Sequence, residues 1–145
     1  MPEKFRLFVY DSLLAGEPEH SALGGAEPLG EADTEPGYRL VELGARGALL
    51  RDGAGTVRGE LYLVDRKTLA ELDVRREVPI LFHRARIRLS DGSQAETYLM
   101  HPDQVPGKRR LPHGRWRDRF APRSPRAAPG PFVTWSRGRF FKSER

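Results

Sequence analysis

The sequence predicts an α+β fold: a closed or strongly curved mixed sheet of six or seven short strands, with two short helices packed outside. Three observations carry this reading. Short apolar and β-branched runs recur along the first hundred positions, each bounded by Gly, Pro or Asp. Only two stretches read as helix, and both are short. The strands do not alternate with helices, so there is no βαβ rhythm, and no internal repeat is visible.

Residues 5–10 form the first strand, a run of aromatic, leucine and β-branched residues. It ends at Asp11-Ser12, a pair that turns the chain or caps a helix, so it delivers a short polar loop to one end of a core. A strand-held loop has its N–H groups and side chains positioned in advance, which makes it the candidate site. Residues 16–23 read as a short helix or turn ended by Gly24-Gly25. Residues 27–34 are a short strand, and Glu35-Pro36-Gly37 a turn. Residues 38–43 alternate as a strand, Gly44-Ala45-Arg46-Gly47 breaks it, and residues 48–51 resume. Arg51-Asp52-Gly53-Ala54-Gly55 is a strong turn signal. Residues 56–64 give the longest strand, in which Gly59 marks a bulge or a close backbone approach. Asp65 caps a short helix over residues 68–73, with Leu69 and Leu72 on its apolar side. Pro79 closes the connection. Residues 80–89 alternate apolar with basic, and Asp91-Gly92 turns them into residues 94–100, a hairpin partner.

The 145 residues suit one domain with a sizeable core. The absence of cysteine excludes disulfides, thiolate zinc sites and cysteine nucleophiles. His20, His83, His101 and His113 are scattered without metal-ligand spacing, so no metal or cofactor is expected. The N-terminus has no apolar signal region, and no run approaches the roughly 20 residues that span a bilayer. The expectation is a soluble cytoplasmic protein with no membrane partner. The net charge of +5 is unevenly placed. Residues 105–145 hold 12 Lys/Arg and 2 Asp/Glu, so they carry +10 and the remaining 104 residues −5. The chain therefore divides into a body, residues 1–104, and a basic extension, residues 105–145, rich in Pro, Gly and Arg and expected to be irregular or mobile. Lys108-Arg109-Arg110 and residues 115–120 mix basic and aromatic side chains. They suit either a nucleic-acid contact or a solvated extension that packs its rings on the body, as Phe132-Val133-Thr134-Trp135 and Phe140-Phe141 would.

Phe8-Val9-Tyr10-Asp11-Ser12-Leu13-Leu14 resembles the Phe-Val-Tyr-Gly-Ser/Thr-Leu opening of the γ-glutamylcyclotransferase-like (AIG2-like) family. Three further blocks follow in the family's order. They are Leu29-Gly30-Glu31-Ala32 with Pro36-Gly37-Tyr38-Arg39-Leu40, then Gly55-Thr56-Val57-Arg58-Gly59-Glu60-Leu61-Tyr62, then Thr68-Leu69-Ala70-Glu71-Leu72-Asp73. The resemblance spans roughly residues 5–100 and implies a small mixed β-barrel with short flanking helices. It also implies a chemistry. The α-amine of a γ-glutamyl amide attacks its own side-chain carbonyl, releasing 5-oxoproline and an amine. Folding the substrate brings amine and carbonyl together, and loop N–H groups bind the α-carboxylate and the developing oxyanion. A carboxylate shuttles the proton.

The resemblance makes Tyr10, Asp11, Ser12, Leu13, Arg46, Arg76 and Phe82 the pocket residues, for a small γ-glutamyl-type ligand or a protein partner. Several of them depart from the family pattern. Ungapped register puts Arg76 where the family has its catalytic Glu, and arginine stays protonated. Either family-type catalysis is lost, or the chain shifts by one residue and Glu77 becomes the catalytic base. Asp11 replaces the loop glycine and adds a carboxylate where a substrate carboxylate would bind, repulsive unless Arg46 or Arg76 pairs with it. Arg46-Gly47 stands at a frequent Tyr-Pro, and Phe82 at a usual Tyr. Three functions are consistent with these residues: a family-type cyclotransferase, an inactive or repurposed member that binds in the same pocket, and a nucleic-acid binder acting through the basic extension.

Overall fold

The computed structural model describes residues 3–119. Seven strands form one curled, half-barrel sheet with a single α-helix against it. They are β1 (Lys4–Val9), β2 (Glu27–Asp33), β3 (Tyr38–Leu43), β4 (Arg46–Gly55), β5 (Arg58–Asp65), β6 (His83–Arg88) and β7 (Gln94–Leu99), and the helix is α1 (Arg66–Arg75). The order is β2-β5-β1-β7-β4-β3, with β6 also paired to β7. Most neighbours are antiparallel, but β7 runs parallel to β1 at Leu7–Glu96 and to β4 at Leu49–Leu99. This is the α+β class and strand number the sequence predicts.

The core packs against both faces of the sheet, since strand neighbours such as Leu7 and Phe8, or Leu49 and Leu50, are buried together. Leu7, Phe8, Leu40, Leu49, Leu50, Leu72, Phe82 and Tyr98 are all buried in it. Gly59 shows why the longest sequence strand carries a glycine. A Cβ there would sit 2.1 Å from the Val9 carbonyl oxygen and 2.7 Å from the Phe8 ring, so only a hydrogen fits between β5 and β1. The helix starts where its cap predicts, because the Asp65 carboxylate accepts the Thr68 N–H at 2.8 Å. It extends past the expected residues 68–73 at both ends.

Two local readings are corrected, at Asp52-Gly53 and at the start of β6. The Asp52-Gly53 turn does not end a strand: β4 continues through it, and the pairing jumps from Arg39–Leu50 to Tyr38–Gly55. The intervening residues leave the ladder as an excursion, pinned by the Arg39–Asp52 ion pair at 2.6 Å. Gly53 permits it, since a Cβ would lie 2.5 Å from the Tyr38 oxygen. Residues 16–23, read as a short helix or turn, hold a 3-10 turn, His20–Leu23, ended by Gly24 at φ 62° as expected. β6 begins at His83 rather than at Ile80, which lies in the exposed turn before it.

Packing runs past residue 104. The Glu42 N–H donates to the Arg109 carbonyl at 2.8 Å and the Leu111 N–H to the Leu40 carbonyl at 2.9 Å, which lays this segment along the free edge of β3. Val105, Leu111 and Trp116 are buried. The Pro/Arg run of residues 121–126 and the aromatic pairs at 132–135 and 140–141 lie outside the described residues.

Candidate functional site

β1 ends by burying Tyr10, Asp11, Ser12, Leu13 and Leu14 in succession. Two bonds tie this stretch to β7: the Tyr10 hydroxyl donates to the Tyr98 carbonyl at 2.7 Å, and the Thr97 hydroxyl to the Phe8 carbonyl at 2.8 Å. The turn closes through the Leu14 N–H and the Asp11 carbonyl at 2.9 Å. Burial and then the Asp11 charge push the Tyr10 phenol up, so it stays neutral.

Opposite the loop, α1 ends at Arg75, and Arg76 follows with its N–H still bonded to the Leu72 carbonyl. Its guanidinium forks onto Asp11, with Nη1 to Oδ2 at 2.8 Å and Nη2 to Oδ1 at 2.9 Å, and each side chain is 1% exposed. The Gly47 N–H donates to the same carboxylate at 2.9 Å, and the Leu13 N–H approaches it at 3.4 Å. Phe82 underlies the guanidinium, 5.2 Å from ring centre to Cζ. Burial works to lower the Arg76 pKa, but the Asp11 charge and hydrogen bonds outweigh it and raise the pKa, so Arg76 stays cationic. Its Nε makes no hydrogen bond among the described residues.

A second carboxylate stands at the rim. Glu19 accepts the Ser12 hydroxyl at 2.5 Å and two bonds from Arg46 at 3.2 and 3.0 Å. Arg75 reaches it at 3.5 Å, and Arg76 Nη2 lies 3.8 Å away. Burial tends to raise its pKa, but the bonds from Arg46 and Ser12 and the charges of Arg46 and Arg76 bring it down to about 2. Trp116 closes the far side. A side chain on Gly47 would meet the Trp116 ring at 3.1 Å and both Asp11 and Leu40 at 3.2 Å.

The structure thus brings Tyr10, Asp11, Ser12, Leu13, Arg46, Arg76 and Phe82 together around one point. It does not bring in Glu77. That residue is exposed in a left-handed turn conformation, φ 54°, because its N–H and carbonyl serve the turn to Val74 and Leu81. Arg76, not Glu77, takes the inward position. Glu19 and Trp116 belong to the site and were not found from sequence, whereas Gly47 was flagged there only with Arg46 as a departure from the family's Tyr-Pro. The Arg115-Trp116-Arg117 cluster was the available signal for Trp116. Among the described residues no group of three or more His, Cys, Asp or Glu is arranged to hold a metal, and no helix is long and apolar enough to cross a membrane.

The family model for "Gamma-glutamyl cyclotransferase, AIG2-like" matches residues 7–118. A relative from Vibrio cholerae serotype O1 that bears the γ-glutamylcyclotransferase name is 39% identical over 100 residues, 66% of this chain and 86% of its own. The γ-glutamylcyclotransferase family protein YtfP of Escherichia coli K12 is 34% identical over 114 residues, 79% of this chain and 97% of its own. Among solved structures, a protein specific to uropathogenic E. coli superposes with a TM-score of 0.71 at 23% identity, covering 80% of this chain and 94% of that one. A mouse AIG2-like protein gives 0.63 at 25% identity, covering 68% and 78%.

Proposed function

The chain belongs to the γ-glutamylcyclotransferase, AIG2-like family, and from that premise we propose that it is a repurposed member which binds in the family pocket without cyclising γ-glutamyl amides. The observation that carries this reading is the buried Asp11–Arg76 pair. Cyclisation needs a group that takes a proton from the attacking ammonium and returns one to the leaving amine. The family resemblance assigns Arg76 the position of that group, and the Asp11 charge and hydrogen bonds hold Arg76 protonated. Cyclisation also needs loop N–H donors for a substrate carboxylate. Here the loop's Leu13 N–H is turned toward Asp11, which also takes the Gly47 N–H from β4. The Asp11 carboxylate acts as an internal substitute for the anion a substrate would bring. Binding then falls to the rim, where Arg46 and Arg75 face solvent around Glu19 and suit a small anionic ligand.

The test is incubation of the purified protein with a panel of γ-glutamyl amides. The expected outcome is no 5-oxoproline above a heat-killed control. Steady release at enzyme-like rates would overturn the proposal.

A second reading, slow cyclisation, draws on one observation: Glu19 places a carboxylate 2.5 Å from the loop hydroxyl of Ser12. A group whose pKa is about 2 is a weak proton acceptor near neutrality, which disfavours it. Any turnover that disappears in Glu19→Gln would restore this second reading.

A further inference from the structure

Eleven arginines lie between residues 3 and 104. Eight of them, at positions 39, 46, 58, 66, 75, 76, 84 and 86, have a carboxylate within ion-pair range. The other three are Arg6, Arg51 and Arg88, and among the described residues none of them makes an ion pair. All three lie about the β6–β7 hairpin. Arg51 donates to the Arg86 carbonyl at 3.2 Å, Arg88 to the Gly92 carbonyl at 3.5 Å, and Arg6 to the Gln94 carbonyl at 2.9 Å.

Arg51 and Arg88 line one open groove with Arg86, Glu35, Tyr38 and Gln94, a space of about 410 Å³ on the outside of the barrel, away from the Asp11–Arg76 site. Its charged lining is the guanidiniums of Arg51, Arg86 and Arg88 against the carboxylate of Glu35, and Arg86 is paired to Glu96 beside the groove, which leaves a surplus of one positive charge. The surrounding body is net negative, so this surplus runs against the trend of residues 1–104. Nearby acids do not cancel it. Glu96 is already counted against Arg86, Asp73 holds Arg84, and the charge of Asp91 faces Arg6.

We infer that this groove binds a phosphoryl group of a small molecule, held by Arg51, Arg86 and Arg88. Each guanidinium has five N–H donors, and Arg51 and Arg88 spend theirs only on single backbone carbonyls at the long end of hydrogen-bond range. Those bonds exchange readily for a charged acceptor. A phosphoryl group carries the negative charge this surplus calls for and presents several oxygens to the forked donors of Arg51 and Arg88, more than the two of a single carboxylate. Tyr38 is the sole aromatic residue of the lining and is itself buried, so the groove offers no ring for a nucleic-acid base to stack on.

Calorimetric titration of the full chain with pyrophosphate tests this, alongside the double variant Arg51→Gln/Arg88→Gln and the control Arg66→Gln. Arg66 is exposed, on a different element, and paired to Glu3. Saturable binding is expected for the parent and the control. It weakens as salt is added, and by about tenfold per arginine removed in the double variant. Circular dichroism of the double variant should match the parent, since both arginines are exposed. Absence of saturable binding, or binding that survives the double substitution, overturns the inference. Tighter binding of a short single-stranded oligonucleotide than of pyrophosphate, lost in the same variant, overturns the small-molecule assignment.

Discussion

Asp11 and Arg76 are 65 residues apart in sequence, yet each is the other's main partner in the core. Removing one leaves a buried charge without its counter-ion, while removing both leaves a void but no stranded charge. Asp11→Ala and Arg76→Met should each cost about 3–5 kcal/mol, and the double variant clearly less than their sum. Urea unfolding of the four proteins measures this coupling directly. Glu19 makes a pH prediction. Its folded pKa of about 2 lies below the ordinary 4.5, so the stability it brings is complete above pH 4.5 and is lost as the pH falls toward 2. Melting temperature followed from pH 5 to pH 2 should drop less steeply in Glu19→Gln than in the parent. The Asp11–Arg76 contact was legible in the sequence, because the family pattern puts both residues in one pocket with opposite charge. Glu19 was not. Its partners Ser12, Arg46 and Arg75 lie on three separate segments, and nothing local in the sequence links them.

At the scale of elements, alternation of apolar and polar residues located most strands, because each buries one face. The helix was found by its cap. Turn chemistry was less reliable, and β4 shows why. Asp52-Gly53 has the local preference for a hairpin end, but pairing of β4 with β3 resumes beyond it and holds the strand together. The same kind of residue at Gly59 was read correctly, since a lone glycine inside a strong strand signals contact rather than reversal. Gly59→Ala should destabilise the fold by about 1–3 kcal/mol, because the added methyl meets the Val9 carbonyl, which cannot swing away. Thermal unfolding checks this. Gly44→Ala makes a useful contrast, as nothing lies within 4 Å of a Cβ there and only its positive φ resists the change.

For the whole molecule, composition suggested a boundary that packing does not respect. Residues beyond 104 are basic and rich in Pro and Gly, the signature of an extension. Val105, Leu111 and Trp116 nevertheless complete the core, and Trp116 is 1% exposed beside Asp11 and Leu40. Trp116→Ala should therefore cost about 3–5 kcal/mol, as for any large core aromatic, and a chemical denaturation midpoint will report it. Composition averages over a stretch and cannot mark the one ring that is buried. The placement of β7 has a further consequence, for how the chain is made. β7 is the last of the described strands to be synthesised, yet it is the seam that joins β1 to β4. Before it leaves the ribosome, β1 can pair with β5 and β3 with β4, but the two halves have no common neighbour. Leu7 and Leu49 then wait about 90 and 50 residues for Glu96 and Leu99, so the barrel closes late in synthesis and all at once.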